Sequence, residues 1–380
     1  MKRRLMDLIR CPACGGRLDL RVRREADEAV SVPVPAPACR HWCARHERSL
    51  ESRPAGFAPD CRACYAADVR EGTLGCRSCH AHYPIAHGVP RLFRNAADPA
   101  VFDPRSNESF GLQWERHRDG DRTWFKNDLD LRRGEFLQSL DLPADALRGA
   151  LVLDGGCGNG RLTTVVSGYG AEVVGMDLSR SVDGAERRRA GIAGERAPFV
   201  HFIQGNIMQP PLAPAAFDHI HSSGVLHHTP DTHRAFRAFR RLVRPGGRVY
   251  VQLYRRREAW VGIPNRLIRA VTSRLPVGLL HRLCWAAVPL HTALVRLVAR
   301  LRGERTAIHE ASRGERALSL FDNYSPRYQH RYHPAEVRRM FEAEGLAEVK
   351  DVTLANEARH MVAFVGTRPP EAVAPRRQAS

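Results

Sequence analysis

The residues of this 380-residue chain that are best placed to do chemistry fall into three groups. The first is a glycine loop, LVLDGGCGNG over residues 151–160, with an acid, Asp177, 22 positions beyond the first glycine. An apolar run that ends in Asp154 and breaks into Gly155, Gly156, Gly158 and Gly160 reads as a strand turning beneath a ligand. Glycine removes the Cβ atoms that would keep a nucleoside off the backbone, and it permits positive φ. An acid closing the next strand suits the two hydroxyls of a ribose. The second group is eight cysteines before residue 80, in the pairs Cys11/Cys14, Cys39/Cys43, Cys61/Cys64 and Cys76/Cys79. The basic N-terminus MKRRLMDLIR never reaches an apolar segment, so no secretory signal is expected and the protein is read as cytoplasmic. In that compartment such pairs favour metal over disulfides. The third group is the histidines around an apolar run at 219–222: His221, and His227 and His228 just beyond it. They are the candidates for a general base.

Two C-x-x-C knuckles build a closed, structural four-thiolate zinc site. Cys11 and Cys14 are expected to share one zinc with Cys76 and Cys79. The inner four, Cys39, Cys43, Cys61 and Cys64, allow a second zinc, with His41 or His46 able to replace one ligand. Nested pairing is the expected arrangement; the spacing leaves sequential pairing open. A redox reading lacks a thioredoxin-like context.

These residues need elements to hold them. From residue 151 the sequence alternates strand, loop and helix, which indicates an α/β fold with a doubly wound parallel sheet. Strands are expected at 150–153, 172–176, 200–204, 219–222 and 248–253, with two more at 347–354 and 360–367. A helix over 232–243 stops at Arg244-Pro245-Gly246-Gly247, where proline cannot continue it. Another, over 334–344, has Pro334 in its first turn and Gly345 after its end. Open α/β sheets bind ligands at the carboxyl ends of their strands, and the glycine loop, Asp177 and His227/His228 all fall there. The domain division is a cysteine module (1–95), a core with an N-terminal lid segment (96–254), a helical insert (255–333), the end of the core (334–368) and a disordered tail (369–380). Asp218 is expected only to open its strand, and Cys157 only to fill the loop.

The dinucleotide fingerprint G-x-G-x-x-G fails here, because its sixth position is Arg161 in one frame and Thr163 in the other. The pattern present is D-x-G-x-G-x-G. With VGMDLS (174–179), QGNI (204–207), SSGVLHH (222–228) and LVRPGGRV (242–249), it resembles the successive motifs of class I S-adenosylmethionine-dependent methyltransferases. That resemblance implies a seven-stranded Rossmann-like sheet and S-adenosylmethionine as cofactor. It assigns Asp154, Gly155, Gly156, Gly158 and Gly160 to the methionine-holding loop and Asp177 and Leu178 to the ribose. Asn206 and Ile207 fall to the adenine, and Ser222 to the fourth-strand motif. Asn206 stands where the family often has Asp, and its side-chain oxygen can still accept from the adenine amino group. Gln113 and Trp114 resemble the family's N-terminal segment that folds over the cofactor. The ends of the cysteine module, LIRCPACGGRL and LGCRSCHAHYPIAHGVPRL, resemble the zinc-ribbon activators of tRNA and protein methyltransferases. The long middle insert departs from them.

The acceptor is the open question. The net charge is +18, yet all but three of the 59 basic residues are arginine, a chain-wide habit rather than a local device. Residues 255–302 nevertheless hold ten arginines against one acid, Glu258. As a lid after the fifth strand, this insert would attract an anionic acceptor or an anionic membrane surface carrying a lipid-linked acceptor; RNA ranks last, because the sequence has no dedicated RNA-binding motif. Its longest uncharged stretch, residues 283–295, is too short to span a bilayer. The aromatic run FDNYSPRYQHRYH (321–333) offers Tyr324, Tyr328 and His330 as acceptor-site residues. The expected activity is methyl transfer to a small or lipid-linked, anionic metabolite. The alternatives are an RNA or protein methyltransferase with its activator fused in cis, and a non-catalytic scaffold.

Overall fold

A computed structural model of the chain describes residues 1–35, 38–43, 45–50, 59–93, 100–116, 129–256, 259–301, 303, 312–355 and 357–370. The expected tail from 371 onward, and residues 117–128 of the expected lid segment, lie outside the described residues. The N-terminal module holds β1 (Leu18–Asp27), β2 (Trp42–Cys43), β3 (Arg48–Ser49), α1 (Cys61–Ala66), β4 (Ala67–Cys76), β5 (His82–Ala86) and β6 (Val89–Leu92). Two helices follow, α2 (Pro104–Arg116) and α3 (Leu129–Leu140). The core then alternates through β7 (Leu151–Gly155), α4 (Arg161–Val166), β8 (Glu172–Asp177), α5 (Ser181–Ala193), β9 (Val200–Gly205), β10 (Phe217–Ser223), α6 (Thr232–Leu242) and β11 (Val243–Tyr254). The insert is α7 (Ala259–Thr272), α8 (Val277–Leu301) and α9 (Arg313–Tyr324), and the chain closes with α10 (Pro334–Ala343), β12 (Ala347–Asp351) and β13 (Met361–Thr367).

The core strands run in the order β9-β8-β7-β10-β11-β13-β12. All pair in parallel except β13, which is antiparallel to both β11 and β12. The direction of winding reverses at β7, so a crevice opens at the carboxyl ends of β7 and β10. Residues of β7 and β9 are buried throughout, as strands covered on both faces must be. Helix α6 buries Ala235, Phe236, Phe239 and Leu242 and is capped by Asp231, which accepts from the Arg234 N–H at 2.9 Å. Strand β11 begins before the expected residue 248, because Val243 already pairs with Phe217.

The seven-stranded expectation holds for the core but not for the sheet. Strand β6 pairs in parallel with β9, Arg91 opposite Gln204 and Leu92 opposite Gly205. The sheet therefore continues through β5, β4 and β1 to eleven strands. The module covers what would otherwise be an exposed edge of β9. The two parts also share one apolar cluster, with Leu5, Leu8, Tyr83 and Leu92 packed with Leu153, Met176, Ile203 and Phe217. A buried polar seam runs beside it. Arg4, 1% exposed, reaches Asp7 at 2.9 Å and Glu172 at 3.2 Å. Glu172 also accepts from the Tyr65 hydroxyl and meets His201 Nε2, both at 2.9 Å. Asp218 does more than open its strand: it accepts from the Leu151 N–H at 2.7 Å and from Arg40 of the module at 2.5 Å.

The insert is held differently. Val277, Leu280, Cys284 and Val288 of α8 pack on Ala317, Leu320 and Phe321 of α9. The helix runs on past the uncharged stretch in both directions. Over its 25 residues it is long and apolar enough to cross a membrane by length and composition.

Candidate functional site

The glycine loop is shaped by what its glycines touch. A Cβ on Gly156 would lie 2.4 Å from Val225, and one on Gly158 would lie 2.7 Å from the Trp114 ring. Both residues have positive φ, +85° and +53°. Gly155 and Gly160 serve packing instead: a Cβ there would strike Phe239 at 2.4 Å, and Ala185 and Phe202 at 2.6 Å. Asp154 turns inward, where its carboxylate accepts from Thr163 Oγ1 at 2.6 Å and fixes the first turn of α4 to the end of β7. Burial pushes its pKa up to about 6, with the nearby Asp177 charge adding to the rise. Ser222 is fully buried and donates to the Gly155 carbonyl at 2.7 Å. Cys157 is buried, with its pKa raised well above the thiol range by burial, as fits filler.

A cavity of about 380 Å³ opens in front of this loop, within the range of small-molecule sites. Gly156, Asp177, Leu178, Asn206, Ile207, Gln113 and Trp114 all line it. Asp154, Gly155, Gly158, Gly160 and Ser222 do not; they support the loop from behind. Asp177 is fixed by three donors, the Gly158 N–H at 2.9 Å, the Ser179 N–H at 2.8 Å and Ser179 Oγ at 2.7 Å. Burial raises its pKa, and these donors oppose the rise. Asn206 supplies an explanation for its own departure from Asp. Its Nδ2 donates to the Val101 carbonyl at 2.6 Å, which no carboxylate can do, and its Oδ1 accepts from the Met208 N–H at 2.9 Å. It thereby ties the segment leading into α2 to the end of β9. Arg105 of α2 reaches the carbonyls of Leu275 and Ser325, so the lid segment is also bonded to the insert.

The two adjacent histidines part company. His228 lines the cavity; His227 is wholly buried behind it, packed at a tilt against Tyr254 with ring centroids 3.9 Å apart. Neither ring nitrogen of His227 has a hydrogen-bond partner, and burial drives its pKa well down, so it is a neutral packing residue. His228 Nδ1 lies 2.9 Å from the Tyr328 carbonyl. A carbonyl only accepts, so Nδ1 carries the proton and Nε2 keeps its lone pair. Burial lowers the His228 pKa, and the Asp322 carboxylate partly offsets this. His221 lies away from the cavity, stacked on Tyr250 at 4.6 Å.

Tyr324, Tyr328 and His330 are not on the cavity wall. Tyr324 packs in the insert, and Tyr328 and His330 stack on one another while holding His228 and Thr229 through their backbone and ring atoms. The same run instead contributes Asp322, which accepts from Tyr254 Oη at 3.1 Å and from Gln113 Nε2 at 3.2 Å. Asp322, Tyr254, Gln252 and Glu357 were missed as site residues. Tyr254 and Gln252 were legible in principle, as the carboxyl end of the fifth strand. Asp103, Asp177, Asp322 and Glu357 put four carboxylates on the cavity wall, against no lysine or arginine among its described lining. The insert arginines expected to draw an anionic acceptor therefore act outside this cavity. Gln113 Oε1 and Asn107 Oδ1, both on the wall, are buried without a partner. Such orphans are what a polar nucleoside ligand would satisfy.

In the module, Cys11, Cys14, Cys76 and Cys79 offer sulfurs that all lie within 4.8 Å of one another. Cys11–Cys79 is 3.6 Å and Cys14–Cys76 is 3.5 Å. Four thiolates about 2.3 Å from a zinc stand about 3.8 Å apart, so the set fits one tetrahedral ion. Among the described residues no other cluster closes this far. Of the inner cysteines, Cys43 Sγ lies 3.1 Å from His46 Nδ1, and Cys61 Sγ accepts from the Ala38 N–H at 3.3 Å. Cys39 and Cys64 stay outside any such closed set.

Comparison with known families assigns both parts. A methyltransferase-domain model matches residues 153–251, and a Trm112p-like protein model matches residues 2–88. The chain carries a class I methyltransferase domain behind a Trm112p-like module. The methyltransferase domain is 34% identical over 119 residues to the ubiquinone biosynthesis O-methyltransferase of Proteus mirabilis, covering 31% of this chain and 47% of that protein. It is 34% identical over 104 residues to the enzyme of the same name from Aromatoleum aromaticum, covering 27% and 44%. The chain thus spans about half the length of the curated relatives it matches. Among solved structures it is similar to magnesium protoporphyrin IX methyltransferase from Synechocystis PCC 6803 with bound SAH (15% identity, 69% of this chain and 97% of that one, TM-score 0.42). It is also similar to a complex of the Haloferax volcanii Trm112 methyltransferase activator with a putative methyltransferase (16% identity, 71% and 100%, TM-score 0.40).

Proposed function

We propose that the chain transfers a methyl group from S-adenosylmethionine to a hydroxyl of a small, uncharged or lipid-linked acceptor. The observation that carries this reading is the convergence of Gly156, Asp177 and Asn206/Ile207, from the ends of three strands, on one cavity that His228 also lines. In this reading Asp177 accepts from the ribose, Asn206 and Ile207 border the adenine, and Gly156 leaves room for the methionine portion. The cofactor supplies a methyl already activated on a sulfonium. The protein's part is alignment and exclusion of water, through Trp114 and Gln113 on the lid and Tyr254 and Asp322 on the insert side. His228 Nε2 takes the hydroxyl proton as the oxygen is methylated. The acidic wall supports an uncharged acceptor, and the name O-methyltransferase borne by the relatives supports oxygen as the accepting atom.

Titration calorimetry tests the cofactor step. The wild type binds S-adenosylmethionine and Asp177→Ala binds it at least ~tenfold more weakly, through lost hydrogen bonds to a charged acceptor; a wild type that binds none removes the enzyme reading and leaves a scaffold. His228→Asn lowers kcat by roughly 10²–10⁴-fold with cofactor affinity unchanged, if it is the base. The Trm112p-like module favours a second reading, an RNA or protein acceptor; RNA binding that weakens steeply with salt would promote it. A second zinc on the inner cysteines belongs with these proposals, and metal analysis giving two ions per chain rather than one would support it.

A further inference from the structure

The insert carries most of the apolar surface the molecule leaves bare. Of twelve exposed large apolar side chains among the described residues, eleven lie on α7 and α8. On α8, Leu279, Leu283, Leu290, Leu294, Leu297 and Leu301 recur at intervals of three, four or seven, so they form one ridge. That ridge runs about 33 Å along the helix. Leu267 and Leu290 are both 67% exposed and Leu301 is 78% exposed. The opposite stripe of α8 is already used against α9. The helix is therefore apolar on two sides, and among the described residues only one has a partner.

The charge beside this ridge says what covers it. Residues 259–301 contain six arginines and no aspartate or glutamate. Arg282 and Arg300 sit about 60° around the helix from the leucine ridge, on one flank. Arg266 is exposed on α7, and Arg274 is exposed in the turn just after it. From such a flank an arginine lays its stem along apolar surface while its guanidinium reaches a layer of phosphate. We infer that α7 and α8 dock this face on a bilayer surface rich in anionic lipid. The helix lies along the interface rather than crossing it, because its other stripe is held by α9 and three arginines punctuate it. Helix α7, which carries part of this face, is bonded on its inner side to α9, and α9 reaches the cavity. Asn323 of α9 donates to Asn265 of α7 at 3.0 Å, Arg269 of α7 reaches the Pro326 carbonyl at 2.7 Å, and Asp322 of α9 lines the cavity. A lipid-linked acceptor would pass from the membrane to that cavity; this last step rests on the proposed methyl transfer, and the docking does not.

The test is co-sedimentation of the full chain with phosphatidylcholine vesicles, with and without phosphatidylglycerol, beside cofactor calorimetry on the same preparations. The wild type pellets with the anionic vesicles and is released by salt. Leu290→Glu combined with Leu294→Glu weakens this at least tenfold, and Arg282→Glu combined with Arg300→Glu abolishes the preference for phosphatidylglycerol, while cofactor affinity is unchanged in both. Failure to bind either vesicle overturns the proposal. So does a lipid-free dimer that the leucine variants convert to monomer, since a second copy would then be what covers the ridge. Vesicle binding without methyl transfer leaves the docking standing and removes the acceptor reading.

Discussion

The Trm112p-like module and the helical insert are both additions to the same methyltransferase core, and they are attached by opposite principles. The module joins through backbone pairing of β6 with β9, through a shared apolar cluster and through buried ion pairs. The insert packs mainly on itself, one stripe of α8 against α9, is tied to the core by a few side-chain hydrogen bonds, and among the described residues leaves the other stripe of α8 bare. The difference separates two jobs. A part that completes a sheet must be permanent, because its loss exposes an edge strand and a core face together. A part that meets a changing partner must keep its surface available.

The largest expected effect follows from a zinc held on the module's four outer cysteines. A closed zinc site contributes on the order of 10 kcal/mol to the folding of its domain. Chelation, or Cys76→Ser, should therefore unfold more than the ribbon, because β5 and β6 hang on the same cluster of side chains that buries β9. The expected outcome is a cooperative loss of helix and sheet signals well below the wild-type melting temperature, with cofactor binding lost alongside. If the methyltransferase domain melted unchanged after zinc removal, the module would be no more integral than the insert.

Next comes the seam. Arg4→Met leaves Glu172 buried without its main cation, and removing one partner of a buried pair costs about 3–5 kcal/mol. The seam also sets a pH dependence. Burial alone would raise Glu172 above its ordinary 4.5, but the Arg4 charge and the His201 hydrogen bond override this and hold it at about 2. A carboxyl depressed on folding stabilises above its unfolded value, and that stability drains away as pH falls from about 4.5 toward 2. His201, kept neutral by burial, acts in the same direction below its ordinary 6.5. Acid titration followed by circular dichroism should show Arg4→Met unfolding at higher pH than wild type; an unshifted acid limb would show that the seam carries no such linkage.

The same contrast explains what was legible. Parallel strands buried on both faces announce themselves as apolar runs, and the glycines and acids at their ends mark one side of the cavity. So β7 to β11 and the lining residues Gly156, Asp177, Asn206 and Ile207 could be read one by one. The outer cysteines could be read because thiolate spacing is set by the metal. The continuation of the sheet through β6 could not, since Val89–Leu92 is four residues long and its parallel pairing to β9 is set by the fold of both parts. The acceptor side was illegible residue by residue for a related reason. The run 321–333 does reach the cavity, through Asp322, but which of its side chains turns inward depends on how α9 rests on α8. The aromatics Tyr324 and Tyr328 face the packing, and Asp322 faces the cavity.

The smallest expected effect is the one that tests the comparison most directly, because it uses two leucines of one helix. Leu280 belongs to the buried stripe of α8, and Leu290 is 67% exposed on the ridge. Their local propensities are the same, so any difference between them is tertiary. Leu280→Ala should cost about 2–5 kcal/mol, the range for emptying a packed leucine site. Leu290→Ala should stay within about 0.5 kcal/mol, as surface substitutions do. Urea denaturation of the two variants in the absence of lipid measures this. A large cost for Leu290→Ala would mean that the ridge is already covered in the free protein, and the insert would then be built like the module. A near-zero cost, in a residue that natural sequences rarely leave so bare in rows, means the ridge is retained for something other than the stability of this chain.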